Sequence, residues 1–346
     1  IAPSDKKMVH MLYGNILSNN LIATRVITES RDIFEAAFHV SNGRPRKFAE
    51  MSKKILILAA QKATAIFAYQ KAKDYLETAT NLIPENPISI SDDAKKLEEW
   101  IMMQEAYADS LALSEEINCA IKIYHDILKW EKSSYNRATI YSKLASNNLF
   151  LFKYPESIDA GIKGLKELDE PYMKSEIYSL FYIVFKLPFY LIKLTWNKFL
   201  GANIKTISSK EEKITWDLRI ALEVPFYFTR PAAAVANHLT NAIKMLPFKD
   251  NYYKSMTNAY WGVVCANIGM RRTSDRCFNK ALDFFEVNHN PVSTIFITFV
   301  KGYLLNFPRG NIDLSQEQIE KATQLATDIG ETFWRFLGYM GLIHLD

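Results

Sequence analysis

Glycine and proline are scarce, 12 of each in 346 residues; for glycine that is about half of average usage. So few breakers over this length exclude a loop-rich or collagen-like chain and favour long helices. Cysteine is scarcer still. Cys119, Cys265 and Cys277 form no Cys-x-x-Cys pair and no even framework, and no Asn-x-Ser/Thr acceptor occurs. A disulfide scaffold is therefore excluded, and a reducing, cytoplasmic compartment is expected. Neither charge is in excess: 42 Lys and Arg against 38 Asp and Glu leave a net charge of +4, too little to argue for a nucleic-acid partner. No Asn-Gly or Asp-Gly hairpin signal stands between alternating apolar runs, so a sheet finds no support. Long apolar runs are nearly absent. The exception is IYSLFYIVFKLPFYLIKL at 177–194. Lys186, Pro188 and Lys193 interrupt it, so a buried helix, or a helix pair broken at Pro188, is expected rather than a membrane span.

The motifs that carry chemistry are missing as well. There is no G-x-x-x-x-G-K-[ST] or G-x-G-x-x-G loop to cradle phosphate, no H-E-x-x-H and no G-x-S-x-G. His10, His39, His125, His238, His289 and His344 are scattered without metal-ligand spacing and are expected to be packed or solvated. The three cysteines lie on apolar helical patterns and are expected to be buried. Asp92 to Trp100 reads as a solvated helix start with its acids near the N-terminus. Two basic clusters, Arg44, Arg46, Lys47, Lys53 and Lys54, then Arg271, Arg272 and Arg276, are expected as solvated loops. No catalytic residue, metal ligand or cofactor is expected, so the chain reads as a non-enzyme.

What is present is helical period almost throughout, at a length that wants two or three domains or one elongated array. Repeats carry the pattern. Ala72, Leu76, Ala79 and Pro84 have the small–large–small–Pro spacing of the second helix of a tetratricopeptide (TPR) repeat. Small residues let two antiparallel helices approach, the large one fills the gap, and Pro ends the hairpin. Leu56, Ala59, Ala60 and Ala63 fill the first-helix positions. A second hairpin places Tyr107, Ala108 and Leu111 opposite Ala120, Tyr124 and Ile127; a third places Tyr141, Leu144 and Ala145 opposite Ser157, Gly161 and Gly164, with Pro171 closing. Further on, Trp261, Gly262 and Cys265 precede Ser274, Phe278 and Ala281. A later pair carries S-Q-E-Q, read as a capping box at Ser315 and Gln318. Equivalent positions are unevenly spaced and further apart than the ~34 residues of a strict repeat. The expected fold is all-α: TPR-like hairpins stacked into a right-handed superhelix, an irregular α-solenoid. Its expected parts are a helical lead-in at 1–50, three hairpins at 51–175, an apolar irregular connector at 176–212, and further repeats at 213–346.

The last helix, ETFWRFLGYMGLIHL, opens a repeat with Trp334, Leu337 and Gly338 and is either a half-repeat or a cap. With the start IAPSDKK, which lacks an initiator Met, it leads to the expectation of a segment taken from a longer protein. An unfinished end would expose apolar side chains and could pair two copies. In a stacked array, polar first-helix residues off the seam would line a concave groove for a protein or peptide partner, or a small ligand. They are Lys54, Gln61, Thr64, Glu105, Asp109, Ser142, Ser146 and Asn267.

Several stretches in order, LYGNILSNN, IFEAAFHVSNGRPR, KILILAAQKATAIFAYQKAKDYLETATNLI and YPESIDAGIKGLKEL, resemble a family. It is the TPR-like region that follows the AAA-like (STAND-class) ATPase domain in very large bacterial signalling proteins. His10, Gly14, Phe34, His39, Ala60, Ala63, Ala68, Tyr69, Ala72, Tyr75 and Leu76 carry the likeness. It covers residues 5–170 well, the remainder loosely, and departs most at 177–200. The resemblance implies an interaction and regulatory array, involved in signal transduction, that senses a ligand or partner and controls an attached ATPase or output domain. The alternative is a free-standing TPR adaptor or peptide receptor.

Overall fold

A computed structural model of the chain describes residues 3–24, 30–43, 45–66, 68–84, 87–200, 207, 209–248 and 251–345. It is all-helical, with no strand among the described residues. Two compact units form, Ile1–Ile140 and Tyr141–Asp346.

The first unit begins with α1 (Pro3–Thr24) and α2 (Ser30–Asn42). Their crossing is tight because two glycines sit in it. A Cβ on Gly14 would meet the backbone N of Val40 at 3.0 Å, and one on Gly43 would meet that of Met11 at 2.9 Å. The same crossing joins His10 and His39 through their Nδ1 atoms at 2.8 Å. Burial pushes the His39 ring below its ordinary value, and nearby His10 adds to this. Next come α3 (Ala49–Ala65) with α4 (Tyr69–Thr80), and α5 (Ala94–Leu113) with α6 (Ile117–Ile127). Ala60 and Ala63 pack on Ala72 and Leu76 in one buried cluster, so the small–large–small positions do face the first helix. Pro84 stays exposed beyond the end of α4, and its carbonyl accepts from Trp100 Nε1 at 3.0 Å. The helix start at Asp92–Trp100 is as expected: the Asp93 carboxylate caps α5 by accepting from the backbone N of Lys96.

The division between the units falls within α7 (Ser134–Phe150). The second unit continues with α8 (Tyr154–Glu167), α9 (Glu176–Leu200), α10 (Lys210–Ala221), α11 (Glu223–Thr229) and α12 (Pro231–Met245). It ends with α13 (Tyr252–Asn267), α14 (Arg271–Val287), α15 (Pro291–Val300), α16 (Ile312–Asp328) and α17 (Thr332–Leu345). Three of its helix pairs share one fastening. Ser157 Oγ donates to the carbonyl of Ala145 at 2.8 Å and Ser274 Oγ to that of Gly262 at 2.8 Å, each twelve residues back. Ser315 Oγ donates to the carbonyl of Gly302 at 3.0 Å, thirteen back. The extra residue is the π-helical turn Lys301–Asn306 that extends α15; a π turn inserts one residue. All three serines are fully buried.

This corrects the capping box expected at Ser315. The helix begins earlier, at Ile312, with Asn311 ahead of it, so Ser315 lies inside α16 and spends its hydroxyl on the neighbouring helix. Gln318 accepts from Asn306 Nδ2 instead. The capping box stands at α10, where Ser209 and Glu212 exchange the reciprocal pair.

The turns also recur. Glu115, Phe152, Asp169, Gly269, His289 and Gly330 all have left-handed backbone, with φ between 49° and 80°. After each, the next amide donates five residues back, as from Glu116 to Leu111, Lys153 to Asn148, Met270 to Cys265 and Glu331 to Ala326. These are Schellman endings, which satisfy carbonyls a helix end leaves open.

Candidate functional site

In the first unit, Lys54 and Gln61 are exposed. Thr64 is half-buried and its hydroxyl donates to the Ala60 carbonyl. Glu105 and Asp109 are half-buried, and Asp109 accepts from the Tyr124 hydroxyl at 2.6 Å. Burial drives that hydroxyl far above its ordinary value, and the Asp109 charge adds to the effect. Asp109 thus holds α6 to α5. In the second unit, Ser146 is half-buried and Asn267 exposed. Asn267 donates to the Val263 carbonyl and accepts from Tyr227. Ser142 does not belong to an open surface. It is buried, because α7 is covered on more than one side: Ala138, Ile140, Leu144, Ala145, Asn147 and Asn148 are buried with it.

The basic clusters also differ from the solvated loops expected. Arg44 lies outside the described residues. Arg46 and Lys47 are exposed on a 3-10 turn, Pro45–Phe48. Lys53 is buried and ion-paired with Glu50 and Glu99. Arg271, Arg272 and Arg276 are exposed on the first turns of α14 rather than in a loop. Of the cysteines, Cys265 is buried and Cys277 half-buried, but Cys119 is exposed, since it sits on the face of α6 away from Ala120, Tyr124 and Ile127. Burial pushes the Cys265 thiol up to about 11 and raises Cys277 too.

The densest polar chemistry lies inside the second unit, on α10, α11 and α12. Arg219 is fully buried. Its Nη2 donates to Glu170 Oε2 at 2.9 Å and to the Pro171 carbonyl at 2.8 Å, and its Nη1 reaches Asn237 Oδ1 at 3.5 Å. Asn237 donates to the Arg219 carbonyl and, at 3.0 Å, to Glu223 Oε1, which Asn241 also reaches at 2.8 Å. Lys244 pairs with Glu170 from the other side. Burial pushes the Glu170 carboxyl up, but hydrogen bonds from Lys244 and Arg219 outweigh it and leave it below the ordinary value. His238, fully buried, stacks on Trp261 with ring centres 5.1 Å apart, its Nδ1 3.7 Å from Glu223. The arrangement locks the segment after α8 to α10 and α12. It compensates buried charges with one another, as buried ions require.

Sequence reasoning missed this network. Its members are 49 to 74 residues apart for the Glu170 pairs. The one local signal is Asn237 and Asn241, one helical turn apart and both aimed at Glu223.

α9 covers α12. The Thr240 and Tyr182 hydroxyls hydrogen-bond at 3.0 Å, and Tyr190 sets its ring edge to Trp261 at 6.0 Å. Here the structure overturns an expectation: 177–194 is neither broken at Pro188 nor buried. One helix runs through Pro188, and Ile177, Leu180, Phe181, Val184, Phe185 and Ile192 are exposed, Phe185 at 74%. The reason is the stripe arrangement. Ser179, Tyr182, Ile183 and Tyr190 take the inner side, and too many apolar residues remain for one neighbour to cover. No described helix is long and apolar enough to cross a membrane.

No protein-family model and no curated protein matches the chain.

Proposed function

We propose that the chain is a non-catalytic helical-repeat interaction module, working as the TPR-like regulatory array of a larger signalling ATPase or kinase protein in the cytoplasm. The observation that carries the reading is the repeated fastening of α7 to α8, α13 to α14 and α15 to α16. In each, a buried serine on the second helix bonds the carbonyl of a small residue on the first. A device repeated at equivalent positions marks equivalent units, and such units stack into a right-handed solenoid whose surface binds partners. The exposed polar side chains at first-helix positions, Lys54, Gln61 and Asn267, are where a protein partner or a neighbouring domain of the same polypeptide docks.

The test is to read the natural coding frame on both sides of this segment. A P-loop ATPase domain ahead of Ile1 and an output domain beyond Asp346 are the expected result. A frame that closes near both ends would overturn the regulatory-array reading and leave the free-standing adaptor in its place.

A further inference from the structure

We infer that α9 is a membrane-surface helix. Its outer face rests on an anionic lipid bilayer while its inner face stays docked on α12. Ile177, Leu180, Phe181, Val184 and Phe185 recur at three- and four-residue steps, with Ile192 two turns on, and all are exposed. Contiguous apolar surface of that extent is uncommon on a protein that meets only water. The charges in the stripe have one sign. No acidic residue occurs from Ile177 to Lys193, and no carboxylate partners Lys186 or Lys193 among the described residues. Their ammonium groups lie over aromatic rings, Lys186 over Tyr182 and Phe189, Lys193 over Phe189. Lysine stems laid along an apolar face with their heads free are how cations reach lipid headgroups.

The occupant follows from that charge. A second copy would set lysines against lysines, and the acid of α9, Glu176, is half-buried at its first residue, away from Lys186 and Lys193. An amphipathic partner helix needs a groove for its anchors, whereas the outer side of a single helix is convex. A negatively charged bilayer requires no groove and complements the lysines. Pro188 and the two lysines inside the run keep α9 in the plane of the interface rather than across the membrane.

The experiment is flotation of the full chain with phosphatidylcholine vesicles, with and without phosphatidylserine. The chain should float with the anionic vesicles, more weakly with the neutral ones, and less as salt is raised. Replacing Lys186→Gln and Lys193→Gln should weaken anionic binding roughly fivefold per lysine. Phe181→Ser with Phe185→Ser should abolish flotation while the helical circular dichroism is kept. A chain that floats with neither vesicle overturns the inference, as does a serine variant that floats like the parent. Two further results overturn it when the parent ignores vesicles: a dimer that the serine variant dissociates, or binding of an acidic amphipathic peptide. The coding-frame test above is independent of all these outcomes.

Discussion

Arg219 shows how a single side chain organises its surroundings. It is fully enclosed, and its guanidinium ties the Glu170–Pro171 segment to α10 and α12. Removing one partner of a buried pair leaves the other uncompensated, so Arg219→Met should cost about 3 kcal/mol in urea unfolding. The same site makes stability depend on pH. Glu170 is held below its ordinary carboxylate value, so the stabilisation it contributes is fully present above about pH 4.3, the value of the unfolded group. It is lost as pH falls through the lower folded value. Unfolding midpoints measured across that acidic window should fall steeply for the parent and less steeply for Glu170→Gln. The hairpin serines make the same point about legibility. The 0, 4, 7 spacing of Ser157, Gly161 and Gly164, and of Ser274, Phe278 and Ala281, was readable because a close helix crossing imposes it. Ser315 has the same spacing with Ile319 and Ala322, all buried, yet its neighbours also spell a capping box. A local motif and a tertiary crossing competed for one hydroxyl, and the buried crossing took it. Ser315→Ala should therefore cost about 1–2 kcal/mol by stranding the Gly302 carbonyl. Gln318→Ala, which a true capping box would not tolerate, should cost less.

Among the helices, the turns are the most uniform feature and the least legible one. The sequence uses glycine at three of the left-handed positions, Gly269, Gly310 and Gly330, and other residues at Glu115, Phe152, Asp169 and His289. Glycine scarcity pointed correctly to long helices but hid these turns. A β-carbon costs about 1–2 kcal/mol in left-handed backbone. Glu115 is exposed, so Glu115→Gly should stabilise the first unit by about 1 kcal/mol, read as a higher thermal midpoint. The exposure of α9 escapes the sequence for a different reason. Hydrophobic content foretells burial only when enough neighbours exist to cover every face, and a sequence does not count neighbours. The break at Pro188, one of the two expected arrangements, does not occur either. An exposed proline inside a helix removes one hydrogen bond and kinks the rod, but α9 continues past it.

For the molecule as a whole, the all-α class was legible from period and composition, whereas the polar network of the second unit was not, because its partners come from distant segments. The chain's last helix shows a similar division. Trp334 and Gly338 are turned inward, Trp334 against Phe296 and Phe299, while Phe336, Tyr339, Met340 and Ile343 form an exposed stripe. That stripe, rather than Trp334, is where two copies would pair through α17. If the chain self-associates, light scattering of Phe336→Glu with Ile343→Glu should show a smaller mass than the parent, and Phe185→Ser should leave the mass unchanged. The uneven enclosure of the three cysteines gives the molecule a built-in clock. At neutral pH, Ellman's reagent should titrate one thiol at once, Cys119 on α6, and the other two slowly. Cys265 is buried on α13 and Cys277 half-buried on α14, and burial favours the unreactive protonated form of both thiols. The slowest phase, that of the buried Cys265, then times the opening of the second unit. A dye placed by the fast phase tags the first unit without any mutation, so the two halves of one unaltered polypeptide can be followed in the same cuvette.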